Sequence, residues 1–214
     1  MSNRFDAATL EAIAFIGNTL SPLFLEDPVK GDQAAYNAFR ALDADAAAAA
    51  EWPFAESALA AECLATMVRE LNDTPAADLA HDFRTMFVGP FKKTCPPWGS
   101  VYMDHEGVTF GPTTLALREW MRKTGIERVQ DERMPDDHIG YLLSMMAWTA
   151  LNKPEALEEL LTEHLLTWAA HFFDLMENSA EQAFYVALAK LTRDSLEGIR
   201  EVAGLKVETP RFFR

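Results

Sequence analysis

Basic residues are scarce: 19 Lys and Arg stand against 33 Asp and Glu in 214 residues, a formal charge of −14. Such a field repels nucleic acid and anionic membrane surfaces and draws basic partners inward. Cysteine is nearly absent. The two present, Cys63 and Cys95, form no CxxC pair, which excludes a disulfide scaffold and suits a reducing compartment. Glycine (10) and proline (11) are few, so helices can run uninterrupted. No apolar run reaches the roughly 18 residues of a membrane span. The polar start from Met1 to Asp6 has no apolar stretch after a basic one, as a secretory signal would. The expectation is a cytoplasmic protein without stable membrane insertion and without a nucleic-acid partner.

The usual signatures of catalysis are missing too. Neither GxGxxG nor GxxxxGK[ST] occurs, so no phosphate-cradling loop can be read. HExxH and GxSxG are absent. Of the five histidines, His164 and His171 could share a helix face, but a zinc site needs three or four clustered ligands. Cys95 follows Lys92 and Lys93, which would lower a thiol pKa, yet no histidine base lies near it in sequence.

What remains is helical patterning. Thr9–Leu25 carries Leu10, Ile13, Ile16, Leu20 and Phe24 at steps of three and four, the mark of an amphipathic helix. Similar patterns cover Gln33–Leu42, Ala55–Leu71, the stretch from Thr74-Pro75 to Val88, Thr113–Lys123, Asp136–Leu151, Glu155–Glu177 and Ala183–Val202. Ala46–Ala50 could be helix or connection. Thr74 reads as an N-cap before a proline at the first helical position, and Gly125 as a C-cap. Residues 89–111 hold four Gly and three Pro, which rules out a long helix there. A loop of this length is often functional, and Val101–Phe110 has room for a short extended piece. No fixed repeat and no linker appears, so the reading is one all-helical domain over 1–214.

Two stretches are distinctive. One is Phe87-Val88-Gly89-Pro90-Phe91, leading into Pro96-Pro97-Trp98-Gly99-Ser100-Val101-Tyr102. The other is Met134-Pro135-Asp136-Asp137-His138-Ile139-Gly140. Together they resemble the TorD/DmsD family of redox-enzyme maturation chaperones, and the DmsD branch most. Phe110-Gly111, Leu115 to Arg118, Trp120 to Arg122 and the tail Phe212-Phe213-Arg214 are similar to that branch as well. The first 70 residues are less distinctive.

The resemblance implies an all-α, single-domain bundle of about ten or more helices. It implies binding rather than catalysis. The partner would be the twin-arginine leader of a molybdopterin-containing reductase, held back from Tat export until its cofactor is inserted. Contact with Tat translocase components, a domain-swapped dimer as well as a monomer, and a guanine nucleotide are all open by family analogy; no cofactor or metal is called for by these residues. Where the family often has Glu before the Pro-x-Asp-His motif, this chain has Met134, which bears on partner identity.

Physically, such a leader presents guanidinium groups that want carboxylates and an apolar segment that wants an aromatic or methionine-lined groove. Phe83, Met86 and Phe87 share one helix face, and the same face would equally serve as core. Phe91, Pro97, Trp98 and Tyr102 follow in the adjoining loop. Asp137 and His138 stand at a helix start, where Asp136 or Asp137 would also serve as N-cap. Gly111 permits a tight turn or close approach. These ten residues, Asp136 apart, form the expected leader site. The alternatives are a chaperone for the reductase body or its cofactor, and a small helical enzyme built on Asp137 and His138.

Overall fold

The structure, a computed structural model, describes residues 4–89, 93–107, 109–127, 134–208 and 210–214. Within them lie eleven α-helical segments and no strand. In order these are α1 (Ala7–Leu25), α2 (Ala34–Arg40), α3 (Ala44–Ala49), α4 (Ser57–Asp73), α5 (Ala76–Phe83), α6 (Gly99–Met103), α7 (Pro112–Thr124), α8 (Ile139–Asn152), the single turn α9 (Leu157–Glu159), α10 (Ala169–Ser179) and α11 (Ala183–Val202). α5 continues as a π turn over Arg84–Val88, and α9 as another over Leu160–Leu165.

Two compact units emerge, each built from stretches distant in sequence. One comprises residues 1–21, 97–169 and 203–214; the other comprises 22–96 and 170–202.

In the second unit α4 packs along α11. Ala60, Cys63, Leu64, Met67, Val68 and Leu71 are buried on α4, and Phe184, Leu188, Leu191 and Ile199 on α11. Burying each large apolar side chain contributes roughly 1.5–3 kcal/mol. A Cβ at Gly198 would lie 1.9 Å from the Phe54 carbonyl oxygen, so only glycine admits this approach. Phe83 and Phe87 pack edge to face at 5.2 Å, and Phe87 also meets Phe24, Phe172 and Tyr185. Asp82, buried, accepts the amide hydrogens of Glu181 and Gln182 at 3.0 and 2.8 Å, closing the turn that opens α11.

In the first unit α6 packs on α7 and lies against Trp168. A Cβ at Gly99 would lie 2.6 Å from the Trp168 indole nitrogen, and Tyr102 stacks on the same ring at 5.9 Å. The part of α1 in this unit approaches α8 closely at Gly17, where a Cβ would lie 2.4 Å from the Leu143 carbonyl oxygen. The Ser21 hydroxyl donates to the Gly140 carbonyl at 2.8 Å. The tail is tied by the Phe213 amide, which donates to the Tyr102 carbonyl at 2.9 Å.

Several local expectations are corrected. The glycine- and proline-rich loop contains the helix α6, not an extended piece, because Asp137 supplies the cap that so short a helix needs. Thr74 does not cap α5: its hydroxyl goes to Glu70 at 2.6 Å, and Pro75 takes the N-cap position. The single helix expected over Glu155–Glu177 is interrupted at Leu166–Trp168, where the π turn ends. Ala44–Ala49 is helical, with Asp43 accepting from the Asp45 and Ala46 amides. α1, with a mean hydropathy of 1.3, is long and apolar enough to cross a membrane on length and composition, against the expectation of no such stretch. Its Ile13, Ile16, Leu20, Leu23 and Phe24 are buried within the protein, as in a core helix. Gly125 does cap α7, in the left-handed region at φ 76°.

Candidate functional site

The two distinctive stretches meet as backbone. Trp98 and His138 form an isolated antiparallel bridge. The Ile139 amide donates to the Pro97 carbonyl at 2.8 Å, and the Gly99 amide to the Asp137 carbonyl at 3.3 Å. Two helices start at this junction. α6 has Trp98 in the N-cap position, extended at φ −120°, with no side chain of its own able to cap. Asp137 does it instead: its Oδ2 accepts the Ser100 amide hydrogen at 2.6 Å. Its Oδ1 accepts the Thr114 hydroxyl of α7 at 3.1 Å. One carboxylate thereby joins α6, α7 and the head of α8. A five-residue helix does not persist without such partners.

α8 is capped by His138, not by Asp136 or Asp137. Nδ1 of His138 accepts the Gly140 amide hydrogen at 3.1 Å, so this nitrogen is the acceptor and any ring proton sits on Nε2. Asp136 accepts from Nε of Arg118 at 2.6 Å, and Arg118 in turn lies 5.2 Å over the Phe110 ring. Asp137 is 1% exposed. Burial raises its pKa above the ordinary carboxylate value, and the bonds from Ser100 and Thr114 pull it back down.

Gly111 has an ordinary φ of −78°; space, not conformation, requires it. A Cβ there would lie 2.1 Å from Oδ2 of Asp104. Asp104 uses that room to accept the Thr113 amide at 3.2 Å and its hydroxyl at 2.5 Å, capping α7.

The junction presents a row of rings. Trp98 meets His138 edge to face at 5.8 Å, and His138 meets Tyr141 at 5.6 Å. Trp98 and Tyr141 are half-buried, and His138 between them is buried. Phe110 and Leu115 of the same unit are exposed.

Of the expected site residues, Pro97, Trp98, Tyr102, Gly111, Asp137 and His138 thus belong to one unit, where the bridge and the Asp137 bonds join them. Tyr102 is fully buried against Trp168. Phe83, Met86 and Phe87 are buried in the other unit. Phe91 lies outside the described residues. Sequence reasoning missed Asp104, Thr114 and Trp168, whose roles exist only through contacts with residues remote in sequence. It also missed a pocket of about 420 Å³ in the first unit, lined by Glu119, Trp120, Lys123, Glu159, Glu163 and His164. Its one visible signal is the pair of glutamates four apart, which reads as an ordinary solvated helix face.

Comparison with known proteins shows what the chain is similar to. A family model described as nitrate reductase delta subunit matches residues 44–174. The chain is 40% identical over 148 residues to the Tat proofreading chaperone DmsD of Salmonella typhimurium, covering 69% of this chain and 70% of that protein. It is 25% identical over 126 residues to the chaperone protein TorD of Aliivibrio fischeri, covering 53% of this chain and 59% of that one. A provisionally assigned redox enzyme maturation protein of Archaeoglobus fulgidus shares the fold, with a TM-score of 0.56 at 20% identity over 90% of this chain and 96% of its own.

Proposed function

Since the chain belongs to the TorD/DmsD family of redox-enzyme maturation chaperones, we propose that it is a chaperone, not an enzyme, for the twin-arginine signal peptide of a molybdopterin-containing reductase of the dimethyl sulfoxide reductase type. It acts in the cytoplasm, delays Tat export until the cofactor is inserted and the reductase has folded, and then releases the leader to the translocase.

The observation that carries this reading is the backbone bridge between Trp98 and His138. It sets Trp98 and Tyr141, both half-buried, on either side of the His138 ring, so an apolar peptide segment has aromatic surface to cover. Aromatic side chains with a buried body and an open edge are common anchors for peptides. Pro97 and Gly111 hold the frame: Pro97 gives its carbonyl to Ile139, and Gly111 leaves room for the α7 cap. Asp137 positions Trp98 by capping α6 rather than by reaching the peptide. The net charge of −14 favours encounter with a basic leader.

The test is calorimetric titration with a synthetic leader carrying two consecutive arginines and its apolar segment. Binding that weakens both when the arginines become alanine and when the apolar segment is cut supports the proposal. Binding that ignores both changes, or no binding, overturns it in favour of a chaperone for the reductase body.

A further inference from the structure

Two residues before His138, a carboxylate already holds a guanidinium, and that guanidinium is the protein's own. Thr114 and Arg118 stand four apart on α7 and so share a face. Thr114 bonds to Asp137, and Arg118 bonds to Asp136 through Nε at 2.6 Å. The Asp136 side chain is 7% exposed and that of Arg118 42%, so the arginine is the solvent-side member of the pair.

The same guanidinium lies 5.2 Å over the ring of Phe110, which is itself exposed. Phe110 adopts a φ of 67°, a left-handed conformation that bulky side chains rarely take. Such strain persists where the surrounding structure enforces it, and it clusters at sites that clamp ligands. A carboxylate and an aromatic face together suit a guanidinium, which bonds to the one and lies over the other.

Arg118 fills this cradle only in part. A carboxylate can accept two parallel N–H bonds from one guanidinium, yet among the described residues Arg118 donates through Nε alone. A second guanidinium offering both bonds would compete for Asp136. Losing Arg118 outright would strand a buried charge, which is costly; exchanging it for another guanidinium would not. The displaced side chain has only to turn into the solvent it already meets. Asp137 offers no such exchange, being enclosed and committed to Ser100 and Thr114.

We infer that Asp136 and Phe110 form a guanidinium cradle, occupied at rest by Arg118 and taken over by an arginine of the bound leader. Arg118 is then a built-in competitor for the ligand. As to the leader, the inference rests on the leader-binding reading above. The cradle itself can be tested apart from it.

The test uses the full chain with Arg118→Ala, and the probes are N-acetyl-arginine amide and, as control, N-acetyl-lysine amide. Arginine amide should raise the melting temperature of Arg118→Ala saturably, and lysine amide much less. Neither should do so for the wild type, whose cradle is filled, or for Arg118→Ala combined with Asp136→Asn. The twin-arginine leader should bind Arg118→Ala at least tenfold more tightly than the wild type. That gain should vanish when glutamines replace the leader's arginines. Arg118→Lys keeps a cation beside Asp136 should the alanine variant not fold, and its leader affinity should move in the same direction. A melting temperature of Arg118→Ala that arginine amide leaves unmoved, or a leader affinity that rises in neither variant, overturns the inference. If arginine amide stabilises Arg118→Ala but no variant binds a leader, the cradle stands and the leader-binding reading falls.

Discussion

Oδ2 of Asp137 accepts the amide hydrogen of Ser100 at 2.6 Å across 37 residues of chain. The aspartate that a sequence reading places in a peptide groove is instead the N-cap of a different helix. Its neighbour His138 has the ordinary capping role for α8. The acidic residue of the motif thus acts on the candidate site through α6 and Trp98.

Asp137→Ala removes both bonds and leaves the Ser100 amide and Thr114 hydroxyl short of an acceptor in the interior. The expected loss is about 2–4 kcal/mol, from one cap and two unsatisfied buried groups. Asp137→Asn keeps an acceptor for Ser100 and should cost about 1 kcal/mol. Urea denaturation midpoints measure both. Equal losses for the two variants would show that the charge, not the hydrogen-bonding, is what matters.

Gly111→Ala pushes a methyl group into the Asp104 carboxylate and should break the cap on Thr113. A lost cap costs about 1 kcal/mol and overpacking about 1–3 kcal/mol more. Asp104→Ala should lose only the first of these. The difference between the two variants, read from thermal or urea unfolding, isolates the steric part.

Lowering the pH should destabilise the protein through His164. Its folded pKa is depressed to about 4 from 6.5, so between those values the unfolded chain binds the proton and the folded one does not. Stability from this group is then complete above about pH 6.5 and falls away towards pH 4, by about 3 kcal/mol. The His164→Gln variant should show a flatter profile over that range. A wild-type slope no steeper than the variant's would show that His164 charges in place.

Phe87 separates core from contact. It meets Phe24, Phe83, Phe172 and Tyr185 and is 4% exposed. Phe87→Ala should cost about 3–5 kcal/mol, while Phe87→Leu should stay folded and bind leader as the wild type does. Trp98→Ala should do the reverse, weakening leader affinity about tenfold for a smaller stability loss. A leader affinity that falls in folded Phe87→Leu would put that side chain in contact with the peptide.

Much of the helix content was legible because its signal is local. The three- and four-residue spacing on α4, α8 and α11, the glycine that ends α7 and the absence of strand patterning need only the neighbouring residues. The two distinctive stretches were also visible, since a proline-tryptophan loop and a Pro-x-Asp-His helix start are written contiguously. Asp104 and Thr114 were not legible, because a hydrogen bond across a chain reversal leaves no periodic trace. The Asp136–Asp137 cap was misread for the same reason: an aspartate just before a helix scores as its cap, and only the backbone pairing turns Asp137 towards α6.

The sequence by itself therefore determined an acidic, all-helical chain and the two stretches that identify its family, since composition, periodicity and contiguous motifs require no knowledge of the fold. Tertiary structure alone decided that Asp137 caps α6 while Asp136 pairs with Arg118, that Phe83, Met86 and Phe87 face inward, and that Glu159 and Glu163 share a pocket with Trp120. Burial and long-range hydrogen bonding depend on which segments the packed chain brings within a few ångströms, and that distance is not encoded by any local spacing.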